Sequence, residues 1–281
     1  MKRELSNEER LMTDKAWGRL KERLERDGLL EEPVTRQNHR TAYALAIAAM
    51  FILMVTAGLL FTGQKEEPID TLTARLFNDT PGTTYVSKLD DGSVIYLSEN
   101  TTVKHSDLVS EPTREITLEG EAFFDIRRDA SKPFVINAGD SKIEVLGTSF
   151  EVACKSGETV LSVKTGLVRI TQISTGKAML VKEGERAIAD AGGIKIQSLG
   201  EYEGFKKYKS KMHFKDESLG NISEIINRNF TETEIILDPA ISGRELTATF
   251  SEDYPEAMVR LICSALNLNY TIEGRVIKIG T

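Results

Sequence analysis

The sequence predicts a mainly β protein with a small C-terminal α+β module, preceded by one short helix and one transmembrane helix. Three observations support this class. Residues 41–62 carry no charge, apolar and polar residues alternate in strands after residue 84, and two helical patterns lie between short strands after residue 212. The predicted segments are a helix within 1–40, a span at 41–62, a linker at 63–83, a β-domain at 84–200, a linker at 201–211 and an α+β domain at 212–281.

The first forty residues contain an amphipathic helix, predicted from Glu9 to Asp27 and ended by Gly28. Its apolar residues share one face: Met12, Ala16, Trp17, Leu20 and Leu24. A single helix of this length has no core of its own, so the stripe around the chain's one tryptophan needs a covering surface. We expect a partner protein to cover it, in preference to the membrane surface or self-pairing.

The uncharged stretch at residues 41–62 is long enough to cross a bilayer. As a helix it reaches about 33 Å, against about 30 Å for the hydrocarbon core. A signal peptide has a shorter apolar core close to the N-terminus, and no A-x-A pattern follows this one. We therefore predict an uncleaved membrane span in preference to a signal peptide or a buried soluble helix.

Basic residues on the two sides of the span predict its orientation. Residues 21–40 hold five basic side chains and residues 63–82 hold only two. Because cytoplasmic flanks are enriched in Lys and Arg, the N-terminus is predicted to be cytoplasmic and the larger part of the chain to lie outside.

Charge and cysteine usage argue against several classes of function. Residues 41–281 carry 26 basic and 34 acidic side chains without a basic stripe, which argues against nucleic-acid binding. Cys154 and Cys263 fall in different predicted domains, which argues against a disulfide framework or a thiolate metal site. We interpret both as small buried apolar residues.

The β-domain is predicted from strands with one buried face. Even positions from Ile116 to Ile126 are apolar or small, and most odd positions are polar. Glycine-containing turns separate the other predicted strands, which are Ser93–Ser98, Phe134–Ala138, Lys142–Cys154, Thr159–Thr171, Ala178–Val181 and Ile194–Ser198.

Two of these strands change the phase of their apolar residues partway along. The changes fall at Gly147 and Gly166, where a bulge or corner can turn a strand without exchanging its buried face. Together with Gly120, these glycines are the predicted structural corners. Short strands with corner glycines are compatible with either a sandwich or a solenoid-like β-fold.

The β-region also resembles a known family. The segments DDGSVIYLSENTTV, REITLEGEAFFDIRRDASKPFVINAGDSKIEVLGTSFEV, TVLSVKTGLVRI and VKEGERA are similar to the periplasmic domain of FecR-type anti-sigma factors. The resemblance covers roughly residues 84–190 and implies a β-solenoid-like FecR domain.

The C-terminal region is predicted to alternate between strands and helices. A lysine-rich run at residues 206–211 is interpreted as a solvated hinge, and Asp216 as the N-cap of a helix that contains Leu219 and Ile222. Pro255 suits the first turn of a second helix. The predicted strands are Glu234–Leu237, Glu245–Phe250, Asn269–Ile272 and Val276–Ile279. This order resembles the short secretin/TonB-type domain found at the C-terminus of many FecR-like proteins.

No catalytic or cofactor motif is present. The three histidines, His39, His105 and His213, lack the spacing of metal ligands. Glu119 and Glu121 could be read as a glycosidase pair, but both lie on the polar face of an alternating strand, where solvated charges are expected. We therefore predict no enzymatic activity, no cofactor, no metal site and no small-molecule substrate.

The family resemblance implies two protein partners. It implies that the cytoplasmic helix binds an extracytoplasmic-function sigma factor, and that the periplasmic part responds to the signalling domain of a TonB-dependent outer-membrane transporter. The chain would then be a single-pass inner-membrane signal transducer. The alternative is a membrane-tethered periplasmic scaffold or envelope-binding protein without a sigma partner.

An exposed strand edge in the C-terminal module is the predicted contact for the transporter. Such an edge presents unpaired N–H and C=O groups to a partner strand. The candidate edges are residues 234–237 and the last strand, and we favour the last strand: Val276, Ile277, Lys278 and Ile279.

Overall fold

The computed structural model describes residues 7–27, 74–200, 203–251 and 254–281. These residues belong to two units, residues 1–67 and residues 68–281. Within the described ranges, no helix combines the length and the apolar character needed to cross a membrane. The predicted transmembrane helix at residues 41–62 lies outside them.

Helix α1, Asn7–Arg26, forms nearly all of the described part of the first unit. It starts two residues before the predicted start and ends one residue before the predicted end. Arg23 and Arg26 occupy its last turn, where positive charge interacts favourably with the helix dipole. Trp17 and Leu20 are 65% and 47% exposed.

The second unit begins with a β-domain whose corner glycines divide two of the predicted strands. Gly147 separates β7 from β8, and Gly166 separates β9 from β10. Four strands were not predicted, namely β1, β2, β4 and β12. The strands are β1 (Ala74–Phe77), β2 (Thr84–Lys88), β3 (Val94–Leu97), β4 (Thr102–His105), β5 (Arg114–Asp125), β6 (Phe134–Ala138), β7 (Ser141–Val145), β8 (Ser149–Lys155), β9 (Glu158–Thr165), β10 (Leu167–Gln172), β11 (Ala178–Lys182), β12 (Glu185–Asp190) and β13 (Gly193–Ser198).

Strand β5 joins the two halves of this domain. Its first part pairs with β4 and β6, and its second part pairs with β3 and β8. The change of partners falls at Gly120, whose φ is +113°. A Cβ at this position would lie 2.7 Å from Oγ1 of Thr101, so the close approach of these two backbone segments requires glycine.

The two halves face each other across the first hydrophobic core. Their strand orders are β1-β4-β5-β6-β7-β10-β11 and β13-β12-β9-β8-β5-β3-β2. The core contains buried residues from both, among them Ile95, Phe124, Phe150, Ile136 and Ile170.

The expected β-solenoid-like arrangement is not confirmed. Among β1 to β13 every pair is antiparallel except β5 with β6. Tight turns therefore reverse the chain at most connections, whereas a parallel β-helix stacks parallel strands from successive repeats.

The lysine-rich segment is not a solvated hinge. Its residues form a short helix, α2 (Gly204–Lys209), in which Tyr208 is fully buried. Strand β14, Met212–Ser218, follows directly and pairs in parallel with β2, with Met212 opposite Thr84. The C-terminal region therefore extends the sheet of the β-domain.

The remaining C-terminal elements agree closely with the predicted order. They are α3 (Leu219–Asn229), β15 (Glu234–Leu237), a 3-10 turn (Pro239–Ile241), β16 (Glu245–Phe250), α4 (Pro255–Leu266), β17 (Asn269–Glu273) and β18 (Val276–Gly280). The predicted cap of α3 is wrong: the N-cap is Ser218, whose hydroxyl accepts from the N–H of Asn221 at 3.2 Å, while Asp216 lies two residues earlier.

A second hydrophobic core packs the C-terminal elements against the outer face of the β-domain. Helices α3 and α4 contribute residues such as Ile222 and Met258, and the small sheet contributes Ile277. Tyr96 and Phe123 of the β-domain belong to the same core. The second unit is therefore held together by two cores, one inside the β-domain and one beneath the C-terminal helices.

Candidate functional site

The small C-terminal sheet has the order β15-β18-β17. Strand β18 pairs in parallel with β15 on one side and antiparallel with β17 on the other. The prediction that Val276, Ile277, Lys278 and Ile279 form a free edge is therefore wrong. The physical reason is that β15 returns beside the last strand, so both edges of β18 are occupied and Ile277 and Ile279 are buried.

The outer edge of β15 is closed by a side chain. The amide of Asn227 on α3 donates to the C=O of Ile235 at 2.9 Å, and its oxygen accepts from the N–H of Ile235 at 2.7 Å. This two-point contact occupies the groups that a further strand would use. The other predicted edge, residues 234–237, is thus protected against strand addition at its second residue.

Strand β17 is the exposed edge of this sheet. The C=O groups of Arg275 and Ile279 face β15, since they accept from Glu234 and Asp238 at 2.8 and 2.9 Å. Consequently the alternate residues of β18 face β17, where Lys278 is opposite Thr271.

By the same alternation, the backbone groups of Tyr270 and Ile272 point away from the sheet. All five residues of β17 are exposed, and within the described ranges this strand pairs only with β18. Its outer N–H and C=O groups can therefore accept a strand from another protein.

Helix α1 places the predicted sigma-contact residues as follows. Ala16, Trp17 and Leu20 are exposed, so the middle of the apolar stripe is open. Met12 and Leu24 lie within the helix, but their side chains are outside the described part. Among the side chains that are described, Trp17 offers the largest apolar surface on this helix.

A polar cluster at the junction of α2 with the β-domain was not predicted. The hydroxyl of Tyr208 lies 3.0 Å from Oε1 of Glu121 and 2.9 Å from Oε1 of Glu151. The ammonium of Lys207 forms ion pairs with both carboxylates. A tyrosine hydroxyl has one hydrogen, so it donates to one carboxylate at a time, and the charge of Lys207 offsets one of the two negative charges.

The electrostatics of this cluster favour its charged form. Burial opposes ionisation of Glu121, but the hydrogen bond and charge of Lys207 outweigh burial and lower the pKa of Glu121. Burial likewise opposes the charge of Lys207, yet the two carboxylates raise its pKa. Burial and the neighbouring carboxylates raise the pKa of Tyr208, which therefore stays protonated.

Aromatic contacts support the same junction. The ring of Phe205 on α2 lies 4.2 Å from that of Phe123 and 5.4 Å from that of Tyr96. Lys164 stands over the Phe205 ring at 4.2 Å. The amide of Asn229 donates to the hydroxyl of Tyr96 at 2.8 Å, which adds a buried hydrogen bond between α3 and the β-domain.

The predicted corner glycines all adopt positive φ values. Gly120, Gly147 and Gly166 have φ of +113°, +149° and +86°. A Cβ on Gly147 would lie 2.3 Å from Cα of Arg128, and one on Gly166 would lie 2.6 Å from Cγ2 of Thr148. At these positions two segments of the chain approach each other more closely than a residue with a Cβ would allow.

Groups suited to holding a metal ion are not assembled in the described residues. No cluster of three or more His, Cys, Asp or Glu residues there could hold a metal ion. Cys263 is buried and Cys154 is half-buried, and neither forms a disulfide. Glu119 is exposed and pairs with Lys104 at 3.3 Å, as expected for a solvated charge, whereas Glu121 belongs to the junction cluster.

Two family models match successive parts of the chain. Residues 80–169 match FecR protein, and residues 211–279 match FecR, C-terminal. Together the two segments cover more than half of the sequence. None of the curated proteins matches it.

The chain also resembles two solved structures of a candidate anti-sigma factor from Parabacteroides distasonis. The identities are 22% and 23%, each with a TM-score of 0.45. The matches cover 74% and 73% of this chain and 99% and 98% of the other chains. The assignment depends on the two family models, which occur in order on one chain. This protein belongs to the FecR family of anti-sigma factors, and its role is regulatory.

Proposed function

We propose that this regulator is a single-pass transmembrane protein of the inner membrane. Its N-terminal helix binds an extracytoplasmic-function sigma factor in the cytoplasm, and its C-terminal module receives a signal from a TonB-dependent transporter in the periplasm. The uncharged stretch at residues 41–62 and the basic flank before it support the membrane part of this proposal.

The observation that carries the sigma contact is the exposed apolar stripe of α1. Trp17 is 65% exposed on a helix whose last turn is basic. Buried aromatic anchors contribute disproportionately to protein interfaces, and truncating one often costs 2 kcal/mol or more. Trp17 and Leu20 are therefore the expected anchors.

Binding of an extracytoplasmic-function sigma factor from the same organism tests the contact. Trp17→Ala in the full chain should weaken binding at least about tenfold, because about 1.4 kcal/mol corresponds to one decade. Lys21→Ala, on the same helix but off the stripe, should bind like the parent. Equal affinities for both variants would exclude this stripe as the contact, and a parent chain that binds no sigma factor would favour the scaffold alternative.

For the outer partner, the exposed edge of β17 is the favoured docking position. The signalling domain of the transporter would add a strand beside Tyr270 and Ile272, whose backbone groups point outward. Main-chain hydrogen bonds would then give affinity and the alternate side chains would give specificity. This replaces the expected contact through β18.

A proline at the exposed edge provides the test. The N–H of Ile272 points away from β18, so Ile272→Pro removes an outward donor while every hydrogen bond to β18 is kept. This variant should bind sigma normally but lose the transcriptional response to the transporter's substrate. Ile272→Ala, which keeps the N–H, should retain most of the response. A full response from the proline variant would place the receptor elsewhere.

A further inference from the structure

A groove on the outer surface of the β-domain has no role in the proposed signalling path. It has a volume of about 540 Å³ and lies where β7, β10 and β11 meet the loop after β5. Three leucines line it, and each is strongly exposed: Leu146 at 42%, Leu167 at 48% and Leu180 at 52%. Large apolar side chains gathered in one concavity are typical of binding sites.

Two of the three corner glycines shape this groove. Gly147 and Gly166 both line it, and side chains at these positions would collide with adjacent segments of the chain. Buried Val145 contributes to the same lining. The concavity is therefore shaped by backbone conformations that the fold holds in place.

Two exposed positively charged side chains lie at the groove, where a ligand could contact them. Arg128 and Arg169 line it, both are exposed, and within the described residues neither side chain forms an ion pair or a hydrogen bond. Glu144 is the one acidic lining residue; it pairs with Lys142 at 3.6 Å and stands directly opposite Arg169 in the pairing of β7 with β10. Arg169 stands directly opposite Leu180 on β11, which places a guanidinium beside the apolar surface.

An unsatisfied hydroxyl lies in the same lining. Thr148 is only 5% exposed, and its buried Oγ1 has no hydrogen-bond partner among the described residues. Buried polar atoms without partners are rare and call for an explanation such as a missing ligand or water. This observation is independent of the leucines and the arginines.

We propose that this groove binds a single-chain anionic amphiphile, with a carboxylate near Arg128 and Arg169 and an alkyl chain over the three leucines. A guanidinium recognises a carboxylate through two parallel hydrogen bonds, and each buried CH₂ adds about 0.8 kcal/mol. The volume falls within the range of roughly 300–1,000 Å³ that is usual for small-molecule sites. The β-domain thereby gains a ligand site that is separate from both protein contacts.

Photolabelling of the full chain in phosphatidylcholine nanodiscs tests the proposal. The probe is dodecanoate with a diazirine near the end of its chain, and adducts are located by peptide mass spectrometry. Adducts should occur on residues 144–148, 167 and 180 and should disappear with excess dodecanoate. The methyl ester of the same probe should label these residues at least about fivefold less, because it lacks the charge.

Variants at the arginines separate specific binding from adsorption. The double substitution Arg128→Gln and Arg169→Gln should lower labelling of the groove at least about fivefold with an unchanged melting temperature, because both side chains are exposed and unpaired. Lys195→Gln, at an exposed position on β13, should label like the parent. Equal labelling by the methyl ester, equal labelling of the double variant, or adducts only outside the groove would each overturn the proposal.

Discussion

The hydroxyl of Tyr208 lies 2.9 Å from Oε1 of Glu151 and joins the short helix α2 to strand β8 of the β-domain. Both residues are buried, with Tyr208 at 0% and Glu151 at 8% exposure. The segment between the two FecR regions is therefore anchored by a buried polar contact. This contact resists separation of the C-terminal module from the β-domain.

Removal of this hydroxyl should destabilise the second unit. Tyr208→Phe keeps the ring and removes the one hydroxyl hydrogen that the two carboxylates share, and a hydrogen bond to a charged group contributes about 1.5–3 kcal/mol. Chemical denaturation of the full chain measures the change. Lys206→Met is the control on the same helix, since its side chain is 76% exposed and should change stability little. Equal losses in the two variants would contradict a special role for Tyr208.

The junction should also respond to acid. Lys207 holds the pKa of Glu121 below its ordinary value of 4.5, so the stabilisation from this pair is complete above pH 4.5 and is lost as the pH falls through the lower folded-state pKa. Lys207→Met removes the cation. The difference in unfolding free energy between parent and variant should be constant from pH 5 to pH 8 and should shrink below about pH 4. A difference that stays constant down to pH 3 would contradict this coupling.

Local sequence patterns predicted most of the elements. Strands Phe134–Ala138 and Glu245–Phe250 have the predicted bounds, because period-two alternation and nearby turn residues mark them. The corner glycines were recognisable because the apolar phase changes beside Gly147 and Gly166. Strand β14 was missed since the basic run before it suggested a solvated segment, although Met212 and Phe214 are both buried.

Contacts between distant parts of the chain could not be predicted in this way. Glu121 occupies the polar face of β5, and its partner Lys207 is 86 residues away, so alternation alone classed it as a solvated charge. The same limit applies to β18. It pairs in parallel with β15, although several elements, including α4 and β17, separate the two strands along the chain. No local pattern specifies which strand lies in the middle of a sheet.

Gly147 should tolerate no side chain. Alanine there would need φ near +149° and a Cβ 2.3 Å from Cα of Arg128, so Gly147→Ala should lower the unfolding free energy by roughly 1–3 kcal/mol. Gly157 has a positive φ of +83° with open space around it, so Gly157→Ala isolates the backbone strain and should cost less. Equal melting temperatures for Gly147→Ala and the parent would remove the argument for a steric corner.

The proposed orientation in the membrane can be tested with fusions to alkaline phosphatase, which is active only outside the cytoplasm. A fusion after Thr281 should be active and a fusion at Lys2 inactive, because the basic residues cluster before residue 41. A cytoplasmic β-galactosidase reporter at the same positions should give the opposite pattern. Activity of the phosphatase at Lys2 would refute the topology and, with it, the sites proposed for both protein partners.

Asn227 should prevent unwanted strand pairing at the edge of β15. Its amide makes both backbone hydrogen bonds of Ile235, so Asn227→Ala leaves an N–H and a C=O without partners at a strand edge. We expect a loss of about 1–2 kcal/mol in stability and concentration-dependent self-association, measured by denaturation and by analytical ultracentrifugation. Asn221→Ala is the matched control, since within the described residues this amide on the same helix bonds only the side chain of Glu217. If both variants remain monomeric, the Asn227 side chain stabilises the fold but does not prevent pairing at the edge of β15.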